Sequence, residues 1–142
     1  MPKTHRHLIF NGVVRNTPTD PSACRQWLDA LVPRIHMKTL VPASSVYCDE
    51  PGNEGITGFV VISTSHAAFH YWEPRSEQPR RLSFCLYSCA DFAPAVVIDH
   101  IDAFWSIERC RHRLIDRTWD ILEVDDVPAT RLTDRVAPAL IP

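Results

Sequence analysis

The sequence predicts an α+β fold: a two-layer sandwich whose mainly antiparallel sheet carries its helices on one face. Three observations predict it. Runs of β-branched and aromatic residues of strand length recur along the chain, and two helical patterns, each opened by a proline, interrupt them. Their order of strand, helix, strands, helix, strand is that of helices packed on one side of an antiparallel sheet. At 142 residues the chain is the size of one domain, residues 1–142, with no internal repeat, low-complexity stretch or boundary.

Leu8-Ile9-Phe10-Asn11-Gly12-Val13-Val14 reads as the first strand. Asp20-Pro21 follows as an N-cap with proline at the first helical position, and Cys24, Trp27, Leu28, Leu31 and Ile35 recur at helical spacing. A helix is expected from Pro21 to Val32, its last turn weakened by Pro33. Residues 38–48 form a second strand interrupted by a proline, and residues 49–54 a turn by composition. From Ile56 to Trp72 the chain is strand-like, broken near Ser63-Thr64-Ser65. A polar connector runs from Arg75 to Arg80, and Leu82–Ser88 is another strand. Pro94 opens the second helix, with Val97, Ile98, Ile101, Phe104 and Trp105 on its apolar side. A final strand is expected from Arg111 to Leu122, followed by a loosely attached tail.

Composition narrows the function classes. A net charge of −2 leaves no basic footprint for nucleic acid. The longest apolar runs, such as Phe59-Val60-Val61-Ile62, are far shorter than the roughly 20 residues of a spanning helix, so no membrane is implied. The polar start, Met-Pro-Lys-Thr-His-Arg-His, does not read as a secretory signal. Five cysteines without such a signal point to reduced thiols in the cytoplasm. Only four glycines occur against twelve prolines, and Gly55 and Gly58 lie close together, which marks a backbone with special requirements.

The densest chemical cluster runs from Ser63 to Trp72. On a strand, His66, Ala68, His70 and Trp72 share one face and Ala67, Phe69 and Tyr71 the other. The next strand sets Leu82, Phe84 and Leu86 on a core face and Ser83, Cys85, Tyr87 and Cys89 opposite. His66-x3-His70 and Cys85-x3-Cys89 superficially resemble a zinc site. Residues four apart on a strand lie about 13 Å apart, which a single ion cannot bridge, so no metal is expected. Asp99-His100-Ile101-Asp102 reads as the polar face of the second helix, and Glu108–Arg113 as a solvated turn. Arg80-Arg81 reads as surface, and Trp72 as a pocket wall or a core residue.

In order, Gly55-Ile56-Thr57-Gly58-Phe59-Val60-Val61-Ile62, Ser65-His66, His70-x-Trp72 and Ser88-Cys89 resemble the core signature of prokaryotic S-adenosylmethionine decarboxylases, and Arg6-His7-Leu8 resembles that family's opening. Thr64 stands where the family has glutamate, and Ala90 where it has glycine. The resemblance implies a proenzyme that cleaves itself between Thr64 and Ser65 into 1–64 and 65–142. Ser65 then becomes a pyruvoyl cofactor, whose carbonyl forms a Schiff base with the amine of a small-molecule substrate. His70 matches the processing base, Thr57 the hydroxyl that supports the oxyanion, and Cys89 the proton donor in turnover. A homodimer with active sites near its interface is implied, as is a role in polyamine synthesis. Two alternatives stay open: a pyruvoyl decarboxylase of another amino acid, arginine or ornithine, and an uncleaved homologue acting as a binding or regulatory subunit.

Overall fold

Alternation builds the sheet and decides which side the helices cover. The computed structural model describes residues 3–124, and the expected loosely attached tail lies largely outside them. In chain order the elements are β1 (Arg6–Val14), α1 (Pro21–Arg34), β2 (Thr39–Cys48), β3 (Gly55–Ile62), β4 (Ser65–Trp72), β5 (Arg81–Ser88), α2 (Pro94–Trp105), β6 (Ile107–Asp116) and the short β7 (Leu122–Glu123). The strands form one seven-stranded sheet in the order β2-β3-β4-β5-β1-β6-β7, and every neighbouring pair is antiparallel. The α+β two-layer reading holds.

Leu8 and Phe10 of β1, Ile56, Val60 and Ile62 of β3, Ala67, Phe69 and Tyr71 of β4, and Leu82, Phe84 and Leu86 of β5 are all buried. They join Cys24, Trp27, Leu28 and Leu31 of α1 and Val97, Ile98, Ile101 and Trp105 of α2 in one core. The period-2 and period-3.6 patterns therefore meet on the same side of the sheet. Trp27 sits at the centre, its ring 5.4 Å from Phe69, 5.5 Å from Trp105 and 5.8 Å from His100. Its Nε1–H donates to the His100 carbonyl (3.1 Å), while His100 Nε2 donates back to the Trp27 carbonyl (2.7 Å). Arg34 donates to His100 Nδ1 (3.0 Å), so the imidazole is neutral and both nitrogens are used.

Several expectations need correction. His100 and Ile101 are buried rather than on a polar face, because His100 is the polar joint between the two helices. The last long strand begins at Ile107 and ends at Asp116, earlier than expected at both ends. Ser106, at φ 53°, stops α2 and turns the chain at once, and Asp102 Oδ1 accepts the Ile107 N–H (2.8 Å). Glu108–Arg113 is therefore not a solvated turn but part of β6, with Cys110 and His112 buried. Its charged residues alternate with core residues, so composition concealed a strand. Pro33 lies inside α1. So near the end it removes a single helical donor, and Ile35, His36 and Met37 N–H groups close the final turn. Among the described residues no helix is long and apolar enough to cross a membrane.

Candidate functional site

Two residues, Ser63 and Thr64, form the turn between β3 and β4, and the strand ends that flank them, Ile62 and Ser65, are register partners. Ser65 begins β4 at φ 155° and pairs on its other side with Ser88, the last residue of β5. The chain leaves β5 through Cys89, whose N–H donates to the Thr64 carbonyl at 2.9 Å. Ser88 is fully buried, and its Oγ lies 2.9 Å from Thr64 Oγ1 and 2.8 Å from the Ala90 carbonyl, and accepts the Ala90 N–H at 3.0 Å. Thr64 Oγ1 in turn donates to Met37 Sδ (3.0 Å). A cavity of about 470 Å³ opens beside this turn, lined by Arg34, Met37, Ser63, Thr64, Ala90 and Phe92 among others. The structure thus brings Thr64, Ser65 and Cys89 together.

Thr57 and His70 form a second group. They are direct register partners on β3 and β4, and His70 is opposite Ser83 on β5, so the three cross the helix-free face in a row. The Thr57 hydroxyl donates to the Phe69 carbonyl (3.1 Å). Burial lowers the pKa of His70 and the Arg81 charge lowers it further, against a backbone hydrogen bond to Asn53 that raises it. His70 is consequently a neutral imidazole at neutral pH, the form a base requires. Its Nε2 is buried without a partner. Trp72 lies 4.3 Å from it, donates Nε1–H to Asn53 Oδ1 (2.6 Å) and carries the Arg81 guanidinium 4.9 Å above its ring. Trp72 is therefore a half-buried wall of this face and no core residue, and Arg81 is committed to it. Gly58 lets the strands close up here: a Cβ would meet the Ser44 carbonyl at 2.6 Å and the Phe69 ring at 2.8 Å. A groove of about 470 Å³ runs along the row, lined by Val46, Thr57, Phe59, His70, Ser83 and Cys85 among others.

The two groups do not meet within one chain. Ser65 and His70 sit at opposite ends of β4, five residues and therefore about 16 Å apart. His66 and His70 share a face of β4 but are likewise separated along it, as are Cys85 and Cys89 along β5 and its exit.

The family model for S-adenosylmethionine decarboxylase matches residues 6–118. The chain belongs to this family. Membership in the S-adenosylmethionine decarboxylase family covers β1 through β6, both groups of site residues included. No curated protein matches the chain closely enough to count. Sequence reasoning assigned no role to Ser88, Asn53 or Met37. Ser88 stood next to Cys89 in the resemblance, but Asn53 lies in a turn defined only by composition, and Met37 carries no pattern at all.

Proposed function

We propose that the chain is a pyruvoyl-dependent decarboxylase of S-adenosylmethionine, activated by self-cleavage between Thr64 and Ser65 and working as a cytoplasmic homodimer in polyamine synthesis. The observation that carries this reading is the hydrogen bond from the Cys89 N–H to the Thr64 carbonyl. That oxygen gains negative charge when Ser65 Oγ attacks the carbonyl carbon, and a donor fixed on it before the reaction lowers the barrier. Attack joins Oγ to the Thr64 carbon, the Oγ proton passes to the base, and the C–N bond breaks as the Ser65 nitrogen takes up a proton. The resulting ester is cleaved by loss of the Ser65 Cα proton, and Thr64 departs as a carboxylate. Tautomerisation to the imine and hydrolysis release ammonia and leave the pyruvoyl group at residue 65.

A serine directly after a two-residue turn, with the preceding carbonyl already held, fits a group made from the chain itself. Once formed, the group supplies an electron-withdrawing carbonyl for loss of CO₂. Cys89 sits at the same end of the sheet, suited to return a proton to the substrate carbon.

The 16 Å between Ser65 and His70 supports a site shared between two copies. The helix-free face exposes Ile9, Val46 and Phe59, at 41%, 56% and 47%, beside the Thr57–His70 row. Two such faces stacked about a two-fold axis lying across the strands would set the Ser65 end of one chain against the His70 end of the other. In that arrangement the partner subunit's His70 is the processing base and the partner subunit's Thr57 supports the oxyanion.

Intact mass under denaturing conditions tests the proposal. Cleavage divides 16.2 kDa into fragments of about 7.3 and about 8.9 kDa, the larger one blocked to N-terminal sequencing. Ser65→Ala should remain whole and inactive. A single stable species from the unmodified chain would overturn the reading and favour the uncleaved homologue, and CO₂ release across a panel of S-adenosylmethionine, arginine and ornithine would fix the substrate.

A further inference from the structure

We infer that Ser88 is a positioning residue for self-cleavage: its buried hydroxyl clamps Thr64 to the backbone that follows Cys89. The inference rests on the proposed cleavage at Thr64–Ser65 and goes beyond it by naming what holds the scissile peptide in place.

Ser88 stands directly opposite Ser65 in the β4–β5 register and is fully buried, yet it is a polar residue where β5 otherwise buries Leu82, Phe84 and Leu86. Its single proton has three acceptors in reach, Thr64 Oγ1 at 2.9 Å, the Ala90 carbonyl at 2.8 Å and, more distant, Met37 Sδ at 3.8 Å, while its oxygen accepts the Ala90 N–H. Thr64 passes its own proton to Met37 Sδ, which leaves Thr64 Oγ1 free to accept from Ser88. Consecutive residues of one strand end therefore grip consecutive parts of Thr64: Ser88 reaches its side chain, and Cys89 reaches its carbonyl oxygen through the backbone.

The Ser63 N–H bond to the Lys38 carbonyl (2.8 Å) and the Ile62–Ser65 pairing already anchor the turn, and the Ser88 and Cys89 bonds add a hold on Thr64 itself, at its side chain and at the carbonyl of the peptide that Ser65 Oγ must approach. Holding reacting atoms in an attack geometry is worth far more in rate than in stability. The bond between Ser88 and the Ala90 N–H is a common local turn device and would by itself explain only folding. The link to Thr64, 24 residues away in sequence, is what ties the hydroxyl to the reaction.

The test follows the first-order appearance of the two fragments in freshly purified protein, alongside thermal melting. Ser88→Ala is expected to slow cleavage roughly tenfold, the rate equivalent of one neutral hydrogen bond. Ser88→Thr, which keeps the donor, should restore the rate to within about threefold of the unmodified chain. If the added methyl group does not fit, Ser88→Cys keeps the volume without the strong donor and should behave like alanine. Thr64→Val should slow cleavage too, and the double variant should be no slower than the worse single one. Hydroxylamine, which captures the ester, should recover less of it from Ser88→Ala.

An unchanged rate in Ser88→Ala would overturn the inference. So would an equal slowing in Ser88→Ala and a well-folded Ser88→Thr, which would mean packing alone, or accumulation of ester, which would mean a role in the later elimination. An unmodified chain that never cuts would remove the cleavage reading itself, a failure distinct from normal cutting by Ser88→Ala.

Discussion

Co-expression of two inactive variants gives the sharpest test of the shared site. Along β4, five residues at about 3.3 Å each put His70 about 16 Å from Ser65, whereas a base must come within about 3 Å of the proton it takes. His70→Ala alone should slow cleavage by about 100-fold or more, the usual contribution of a general base. Ser65→Ala alone should not cut. When the two are expressed together with distinguishable tags, mixed dimers bring an intact His70 from the Ser65→Ala chain to the intact Ser65 of the His70→Ala chain. About half of the His70→Ala chains would then have such a partner, if the chains pair at random. Those chains should cut at close to the normal rate and the Ser65→Ala chains not at all, as read by the masses of the tagged fragments. Isolated mixed dimers in which neither chain cuts would refute the shared site, and normal cutting by His70→Ala alone would remove His70 as the base.

Cys89→Ala keeps the backbone donor and should cleave normally, but its CO₂ release should fall; an unimpaired turnover would take the proton-donor role from the thiol. Gly58→Ala drives a methyl group into the Ser44 carbonyl and the Phe69 ring and should cost about 1–3 kcal/mol in urea unfolding, with no change expected if β2 can simply move away. Stability should also depend on pH. Burial is the largest cause of the lowered pKa of His7, His70, His100 and His112. Below the ordinary value of 6.5 the unfolded chain therefore binds protons that the folded chain does not, and stability is lost as pH falls through that value towards the lower folded values. Melting followed by circular dichroism should show a lower midpoint at about pH 5.5 than at about pH 7.5, and equal midpoints would contradict it.

The sheet from β3 to β5 was legible because Phe69, Tyr71, Leu82, Phe84 and Leu86 alternate cleanly with polar neighbours. The stripe of α1 was equally plain from Cys24, Trp27, Leu28 and Leu31. What failed was the region where charge masks burial. In β6 the arginines are exposed or half-exposed beside the core residues Cys110 and His112, and His100 is buried because two backbone and side-chain partners on α1 satisfy it. Such burial depends on partners far away in sequence, which no local pattern contains. Candidate residues could be named one by one, but their gathering into two groups, Thr64, Ser65 and Cys89 at one end of the strands and Thr57 and His70 towards the other, depends on the register between strands. A resemblance lists residues in order, and the register of β3, β4 and β5 shows which of them stand side by side.

The order β2-β3-β4-β5-β1-β6-β7 has a consequence for the life history of the protein. A cut in the β3–β4 turn would leave β1, α1, β2 and β3 on one piece and β4, β5, α2, β6 and β7 on the other, with β1 of the first lodged between β5 and β6 of the second. The pieces would be interlaced like the fingers of two hands, each completing the other's core, and would travel as one particle until denatured. Mixing them afterwards would make assembly a bimolecular encounter in which neither partner brings a finished sheet. In a chain that cuts there, folding would have to come before cutting: each molecule would be assembled once, as a continuous thread, and would thereafter persist as a product it could not readily rebuild.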